Sequence, residues 1–427
     1  MEKKQTLAFY TLGCKLNYSE TAAISNQLQA SGYAVADFRE HADTYVINSC
    51  TVTSNAEKRC RELIRKARRI NPDARVVIMG CYSQVKPEEL SSMPGVSMVL
   101  GNKEKFNLAR HLEQTPESAP ANSPAKEKPD TFIPTFSSGD RTRSFFKIQD
   151  GCDYLCAYCT IPRARGRSRS NTIRETMETA RKIAGTSMKE VVLTGVNIGD
   201  FGKPHGESFF GLLEKLVRID GLERIRLSSV EPDLLSDDII ELVAAEPRLM
   251  PHFHMPLQSG SNAILKAMGR KYDTALFADR VARIREHLPH ACIAADVITG
   301  FPGETTALFE ESMEFISHAD ISYVHVFTYS ERENTRASRM TDTIPAHVSR
   351  QRSKALQALS KTKKEAFILS NQGRQEKVLW EKENLQNHMY GFTENYVRVK
   401  TTYDANRVNT IETIALNNMG DHLVFIV

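Results

Sequence analysis

Three cysteines within eight residues, Cys152, Cys156 and Cys159 in the string CDYLCAYC, constrain this chain more than any other feature. The spacing CxxxCxxC gathers three thiolates on one short loop. A closed tetrahedral zinc site needs four protein ligands. No Cys or His nearby supplies the fourth, the next histidine being His205. A 4Fe-4S cluster held by three cysteines leaves one iron without a protein ligand. A substrate or cofactor can then sit directly on the metal.

The spacing, with Tyr158 just before the last cysteine, resembles the signature of the radical S-adenosylmethionine (SAM) enzymes. The rest of the chain can accommodate such a protein. Its 427 residues suffice for two or three domains with cores of their own. Hydrophobic residues at 41% and charged ones at 25% are the balance of a soluble globular chain. No run approaches the roughly 18 consecutive apolar residues of a membrane span. The opening MEKKQTLAFYTLGCKLNYSE lacks the apolar stretch of a secretory signal. Eight cysteines in this setting read as metal or redox chemistry rather than a disulfide framework. The expected compartment is the cytoplasm.

Residues 1–113 alternate short apolar runs (7–10, 45–48, 76–79 and 96–100) with amphipathic stretches such as 20–31 and 56–70. That rhythm predicts an α/β domain built on a doubly wound parallel sheet. Such sheets bind ligands beyond the carboxyl ends of their strands. Cys14 in TLGCKLN, Cys50 in VINSCTVT and Cys81 in VIMGCYSQ each follow a strand closely. Gly13 and Gly80 adjoin two of them and let the backbone come near a ligand. Together the three predict a second three-thiolate site, again one ligand short. Cys60, inside the basic helix EKRCRELIRKARR, and Cys292, opening the strand-like CIAADVI, are expected to be structural.

Residues 114–137 carry five prolines and read as an extended linker. Over 138–367, strand-like runs RSFFKIQ, EVVLTG, RIRLSS, HFHMPL, CIAADVITG and YVHVFTYS alternate with helical segments. This predicts a partial (β/α)6 barrel with its site at the carboxyl ends of the strands, where the cysteine loop also lies. Strand-end residues Thr194, Gly195, Ser229, Glu231, Gln258 and Ser261, together with Tyr158, are candidate SAM contacts. Glycine lets backbone reach the cofactor's amino and carboxyl groups, and Ser and Glu can hydrogen-bond a ribose. Arg270 is a candidate partner for the SAM carboxylate, which guanidinium binds bidentately. In PRARGRSRS, Arg163, Arg165, Arg167 and Arg169 follow the cluster loop and are expected to meet substrate phosphates.

The formal net charge is +4, and residues 350–427, with 12 Lys/Arg against 8 Asp/Glu, hold all of the excess. After the basic stretch RQRSKALQALSKTKK, short alternating runs over 368–427 predict a small antiparallel β-barrel. A basic helix beside a compact barrel suits RNA, whose phosphates dominate non-specific affinity. The tail is expected to position RNA and to leave the SAM site, built by the central domain, intact when removed.

Taken together, the chain resembles the methylthiotransferases of the radical SAM superfamily over nearly its whole length. TLGCKLN, CTVTSNA, RGRSR and GFTENYVRV resemble the MtaB-like branch, which acts on threonylcarbamoyladenosine in tRNA. A CSIRE-like string typical of the isopentenyladenosine branch and the GCPKN of the ribosomal-protein branch are both missing. Arg163, where an aromatic residue is usual, and Asn171, in place of proline, depart from the common pattern. The resemblance implies a carboxyl-terminal TRAM domain at 368–427, two 4Fe-4S clusters and SAM. It implies that SAM is cleaved at the Cys152/Cys156/Cys159 cluster and that the hydrogen is taken from carbon 2 of the adenine. The inserted sulfur then comes by way of the Cys14/Cys50/Cys81 cluster, and the methyl group from a second SAM. The base must leave its stack to react. The implied partners are the tRNA anticodon loop, an electron donor such as flavodoxin or ferredoxin, and a sulfur donor, with the enzyme a monomer. The alternatives are action on isopentenyladenosine or on a ribosomal protein side chain.

Overall fold

The computed structural model describes residues 5–113, 127–138, 142–420 and 424–427. By its internal contacts the chain forms two units: residues 1–137, 145–155 and 159–170, and residues 138–144, 156–158 and 171–427. Most of the proline-rich stretch lies outside the described residues.

In the first unit, strands β1 (Thr6–Thr11), β2 (Ala34–Ala36), β3 (Thr44–Ser49), β4 (Arg75–Gly80) and β5 (Met98–Leu100) form one parallel sheet, in the order β2-β1-β3-β4-β5. Neighbouring residues of a strand point to opposite faces, so β3 and β4 feed two cores. Tyr45, Ile47, Val76 and Ile78 pack with Cys60, Leu63 and Ile64 of helix α2 (Ser54–Ile70). Val46, Val77 and Met79 pack with Ile24 and Leu28 of helix α1 (Lys15–Ala30). The buried positions 57, 60, 63, 64 and 67 of α2 recur at helical spacing. Thr53 caps the helix by accepting from the Ala56 N–H. This is the doubly wound sheet predicted.

In the second unit, parallel strands Glu190–Thr194 and Arg224–Leu227 pair with each other, and His252–Gln258, Cys292–Thr299 and Tyr323–Thr328 pair in series. Parallel bridges Ile225 to Leu249 and Ser229 to His254 join the two sets. Helices alternate with these strands, and Thr172, Ser208, Asp273 and Thr305 cap four of them. Ile173–Ala184, for instance, carries a Thr172/Glu175 capping box. The result is an open α/β barrel.

Residues 368–427 belong to the same unit. Strands Gln375–Trp380, His388–Thr393, Arg398–Thr402 and Ile411–Ala415 make a curled antiparallel sheet around Val378, Trp380, Met389, Val399 and Phe425. Trp380, the only tryptophan in the sequence, is fully buried, with the Arg407 guanidinium 4.4 Å from its ring centre. This sheet is not an appendage. Buried Arg224 donates to the carbonyls of Lys377 and Phe392, at 2.7 and 3.1 Å, and buried Arg226 to that of Glu394, at 3.0 Å. Deleting 368–427 would strip acceptors from two desolvated guanidinium groups. Removing the tail is therefore expected to destabilise the strand Arg224–Leu227.

Candidate cluster sites

Cys50 and Cys81 directly follow β3 and β4, and Cys14 follows β1 by three residues. Ser49 and Gly80 are paired in register, so Cys50 and Cys81 leave adjacent strands side by side. Gly13 has φ +93°, and a Cβ there would lie 2.9 Å from the Cys50 sulfur. Only glycine allows that approach. The Cys50 thiol is pushed up to about 12, by burial first, then by Cys81 and more weakly by Cys14. Burial also raises the Cys14 thiol, and buried thiols that resist ionising are suited to a cation that replaces their protons.

Beneath these cysteines lies a buried ionic network. Glu20, on α1 and without solvent exposure, accepts from Lys105, Lys147 and Arg165 at 2.6 to 2.9 Å. Asp150 accepts from Lys147, Arg165 and Arg169 at 2.7 to 3.0 Å. Two asparagines tie this network to the cysteine loops. Asn17 donates to the carbonyls of Leu12 and Ser49 and accepts from Arg165. Asn102 donates to the Ala164 carbonyl, lies 3.8 Å from the Cys81 sulfur and accepts from Lys105.

The CxxxCxxC loop spans both units, with Cys152 and Cys159 in the first and Cys156 in the second. In the first unit, Gly151 has φ +71°, and a Cβ there would clash with the Arg167 carbonyl at 1.9 Å. The Tyr154 and Ile161 N–H groups point at the sulfurs of Cys152 and Cys159, at 3.3 and 3.4 Å. Such N–H···S bonds tune iron–sulfur clusters, so the loop fits one. In the second unit, Arg270 donates to the Cys156 sulfur at 3.1 Å and to the Tyr158 hydroxyl at 3.4 Å, and pairs with Glu231. Three of the predicted SAM contacts, Tyr158, Glu231 and Arg270, thus meet beside Cys156. Arg270 here faces a carboxylate of the protein itself. Thr194 ends its strand buried, its hydroxyl donating to the Val192 carbonyl. Gly195 follows it. Gln258 ends its strand in the left-handed region, φ +66°. The Ser261 hydroxyl donates to Glu311 at 2.8 Å, a bond that holds it within the fold.

Residues 6–101 match the model of Uncharacterized protein family UPF0004, and residues 146–316 that of the Radical SAM superfamily. The threonylcarbamoyladenosine tRNA methylthiotransferase MtaB of Bacillus subtilis is 39% identical, over 92% of this chain and 90% of that protein. Its Thermotoga maritima counterpart is 35% identical, over 98% and 95%. The chain belongs to the radical SAM methylthiotransferases. The tRNA-2-methylthio-N(6)-dimethylallyladenosine synthase of Cereibacter sphaeroides is 33% identical over 97% of each chain. Among solved structures, the radical SAM methyltransferase TsrM of Kitasatospora setae superposes with a TM-score of 0.55 at 16% identity, over 76% of this chain and 73% of that one, a likeness of fold. The cofactors of a methylthiotransferase of this family are SAM and two 4Fe-4S clusters. Two sets of three cysteines match the clusters in number and in donor chemistry.

Two of the four arginines predicted to face phosphates do something else in this methylthiotransferase. Arg165 is 1% exposed and held by Glu20 and Asp150. Arg169 is bound by Asp150 and donates to the carbonyls of Thr131, Arg165 and Arg167. Neither is offered to a ligand. Arg163 is half-buried, and Arg167 is exposed and ion-paired with Asp153 at 3.2 Å. In the basic helix Ala346–Leu369, Arg352 turns inward to Glu304, while Arg350, Lys354, Lys361 and Lys364 stay exposed.

Three polar residues beside the predicted Ser229, namely His254, Asp296 and His325, escaped the sequence reading. Ser229 Oγ lies 2.9 Å from His254 Nδ1, and His254 Nε2 lies 2.9 Å from Asp296 Oδ1. His325 brings a ring nitrogen within 4.8 Å of the other two groups. These residues come from four successive strand positions around the barrel, on the face opposite the buried Phe253, Met255 and Leu257. The signal available in sequence was a polar residue interrupting each apolar strand.

Cys60 and Cys292 lie inside hydrophobic packing, their thiols raised by burial to about 12 and about 11. Replacing both with alanine is expected to leave iron content and product unchanged, at about 1 kcal/mol of stability each. Iron analysis of the double variant checks this, and loss of half the iron would place a ligand at one of them.

Proposed function

We propose that this protein inserts a methylthio group at carbon 2 of threonylcarbamoyladenosine beside the anticodon, at tRNA position 37, in the cytoplasm. The observation that carries the reading is the gathering of Cys14, Cys50 and Cys81 at the carboxyl edge of three adjacent parallel strands, in a chain with a second cysteine trio. We assign the auxiliary cluster to the first trio and the SAM-binding cluster to Cys152, Cys156 and Cys159. When bound, the two clusters and SAM supply radical hydrogen abstraction and sulfur and methyl transfer.

The chain's own residues hold and orient. Glu231, Arg270 and Tyr158 fix the Cys156 side of the loop and, with Thr194, Gly195, Ser229, Gln258 and Ser261, are assigned to SAM's surroundings. Ser229, His254, Asp296 and His325 offer hydrogen-bond donors and acceptors suited to a nucleobase. The exposed cations of the helix Ala346–Leu369 and the tail are assigned to tRNA phosphates. An electron donor such as flavodoxin or ferredoxin and a sulfur donor complete the scheme, with the enzyme acting as a monomer.

Nucleoside mass spectrometry of tRNA from a deletion strain tests the reading. The methylthio form of threonylcarbamoyladenosine should vanish and return with the gene. Loss of the methylthio form of isopentenyladenosine instead would assign the protein to the other branch. Arg167→Ala is expected to lower methylthiolation severalfold more than tRNA affinity, since one exposed cation at the cluster loop orients more than it binds. Its salt slope should fall by no more than about 0.9, the share of one phosphate contact. Parallel turnover and filter-binding assays separate the two effects, and an unchanged turnover would remove Arg167 from the site.

A further inference from the structure

We propose that the buried cations under the Cys14/Cys50/Cys81 site, Arg165 foremost, act as the counter-charge of the auxiliary cluster and raise its reduction potential. The inference rests on the assignment of that cluster to these three cysteines.

The network holds four cations, Lys105, Lys147, Arg165 and Arg169, against two carboxylates, Glu20 and Asp150. Its two positive charges in excess sit where Glu20, Lys105, Lys147 and Arg165 are all at most 1% exposed. An uncompensated ion taken out of water costs several kcal/mol, so a fold that retains this excess requires an anion close by. Three thiolates outweigh the charge of the iron–sulfur core they hold, which makes the assembled site that anion. The route between them is short. Arg165 bonds Asn17, which bonds the loops bearing Cys14 and Cys50, and Lys105 bonds Asn102, which borders Cys81. Positive charge beside a cluster favours its reduced form, because reduction adds negative charge; net charge is one of the levers that set such potentials.

The test uses the full-length chain with Cys152, Cys156 and Cys159 replaced by alanine, so that one cluster gives the signal. Redox titration followed by electron paramagnetic resonance reads its midpoint potential. Arg165→Gln should shift the reduction equilibrium at least tenfold toward the oxidised form, about 59 mV for one electron. Glu20→Gln, which removes a negative charge from the same network, should shift it the opposite way. Arg165→Lys should stay near the parent value. Shifts of the same sign in both glutamine variants, or none in either, overturn the proposal. If Arg165→Gln fails to hold iron while Arg165→Lys holds it, the charge requirement is upheld. If both lose it and Glu20→Gln keeps the parent potential, the role is structural and the proposal falls. Absence of any cluster in the parent would instead refute the cysteine assignment.

Discussion

With Cys152, Cys156 and Cys159 all changed to alanine, the anaerobically reconstituted enzyme is expected to keep about half its iron and form no 5′-deoxyadenosine. The complementary protein, with Cys14, Cys50 and Cys81 changed, should also keep about half the iron. It should go on forming deoxyadenosine and yield no methylthio product. The asymmetry follows from placement. In the first of these sets Cys156 is bordered by Arg270, Glu231 and Tyr158, the residues assigned to SAM. The second lies at the edge of the amino-terminal sheet, above the Glu20 network. Iron assay and chromatography of the nucleosides decide the matter. Continued SAM cleavage in both triple variants would overthrow the division of labour.

Breaking the ion pair between Glu190 and Arg226 is expected to cost about 3–5 kcal/mol, because either partner left alone is a buried charge. Both side chains are at most 2% exposed and meet at 2.8 Å. Burial works to raise the Glu190 carboxyl, but Arg226 and then Arg143 and Arg224 pull it down from 4.5 to about 2. A carboxyl depressed on folding stabilises the protein fully above its ordinary value and loses that contribution as pH falls toward the folded one. About 3 kcal/mol should therefore drain away between pH 4.5 and pH 2. Acid titration of unfolding should show a steeper fall in the parent than in Glu190→Gln across that window. Identical pH profiles would mean that Glu190 is not held as an anion. Arg226→Met should lower the thermal midpoint markedly, since the carbonyl of Glu394 loses its donor as well.

The strands of both units and the cysteine positions could be read from the sequence because each rests on local pattern. Apolar runs of strand length with Cys just beyond them need no knowledge of distant residues. The charged interior could not be read that way. Arg165 and Arg169 look in sequence like a solvated basic run, and their partners Glu20 and Asp150 lie up to 145 residues away. Arg224 and Arg226, alternating in RIRLSS, look like the wet face of a strand. They are buried because Glu190 and carbonyls of the distant tail satisfy them. Lys147, a cation between the apolar Phe146 and Ile148, was the one local hint that an ionic core lay beneath.

Trp380 gives the fold a built-in optical reporter. As the sole indole in the sequence, it stands in the core of the carboxyl-terminal sheet, so tryptophan emission comes from that sheet and from nowhere else in the chain. Its loosening or melting would register as a red shift, whatever the rest of the molecule does. Unfolding followed by tryptophan fluorescence and by circular dichroism would thus trace the sheet and the whole chain separately, and coincident curves would show that the sheet and the barrel it caps open in a single step.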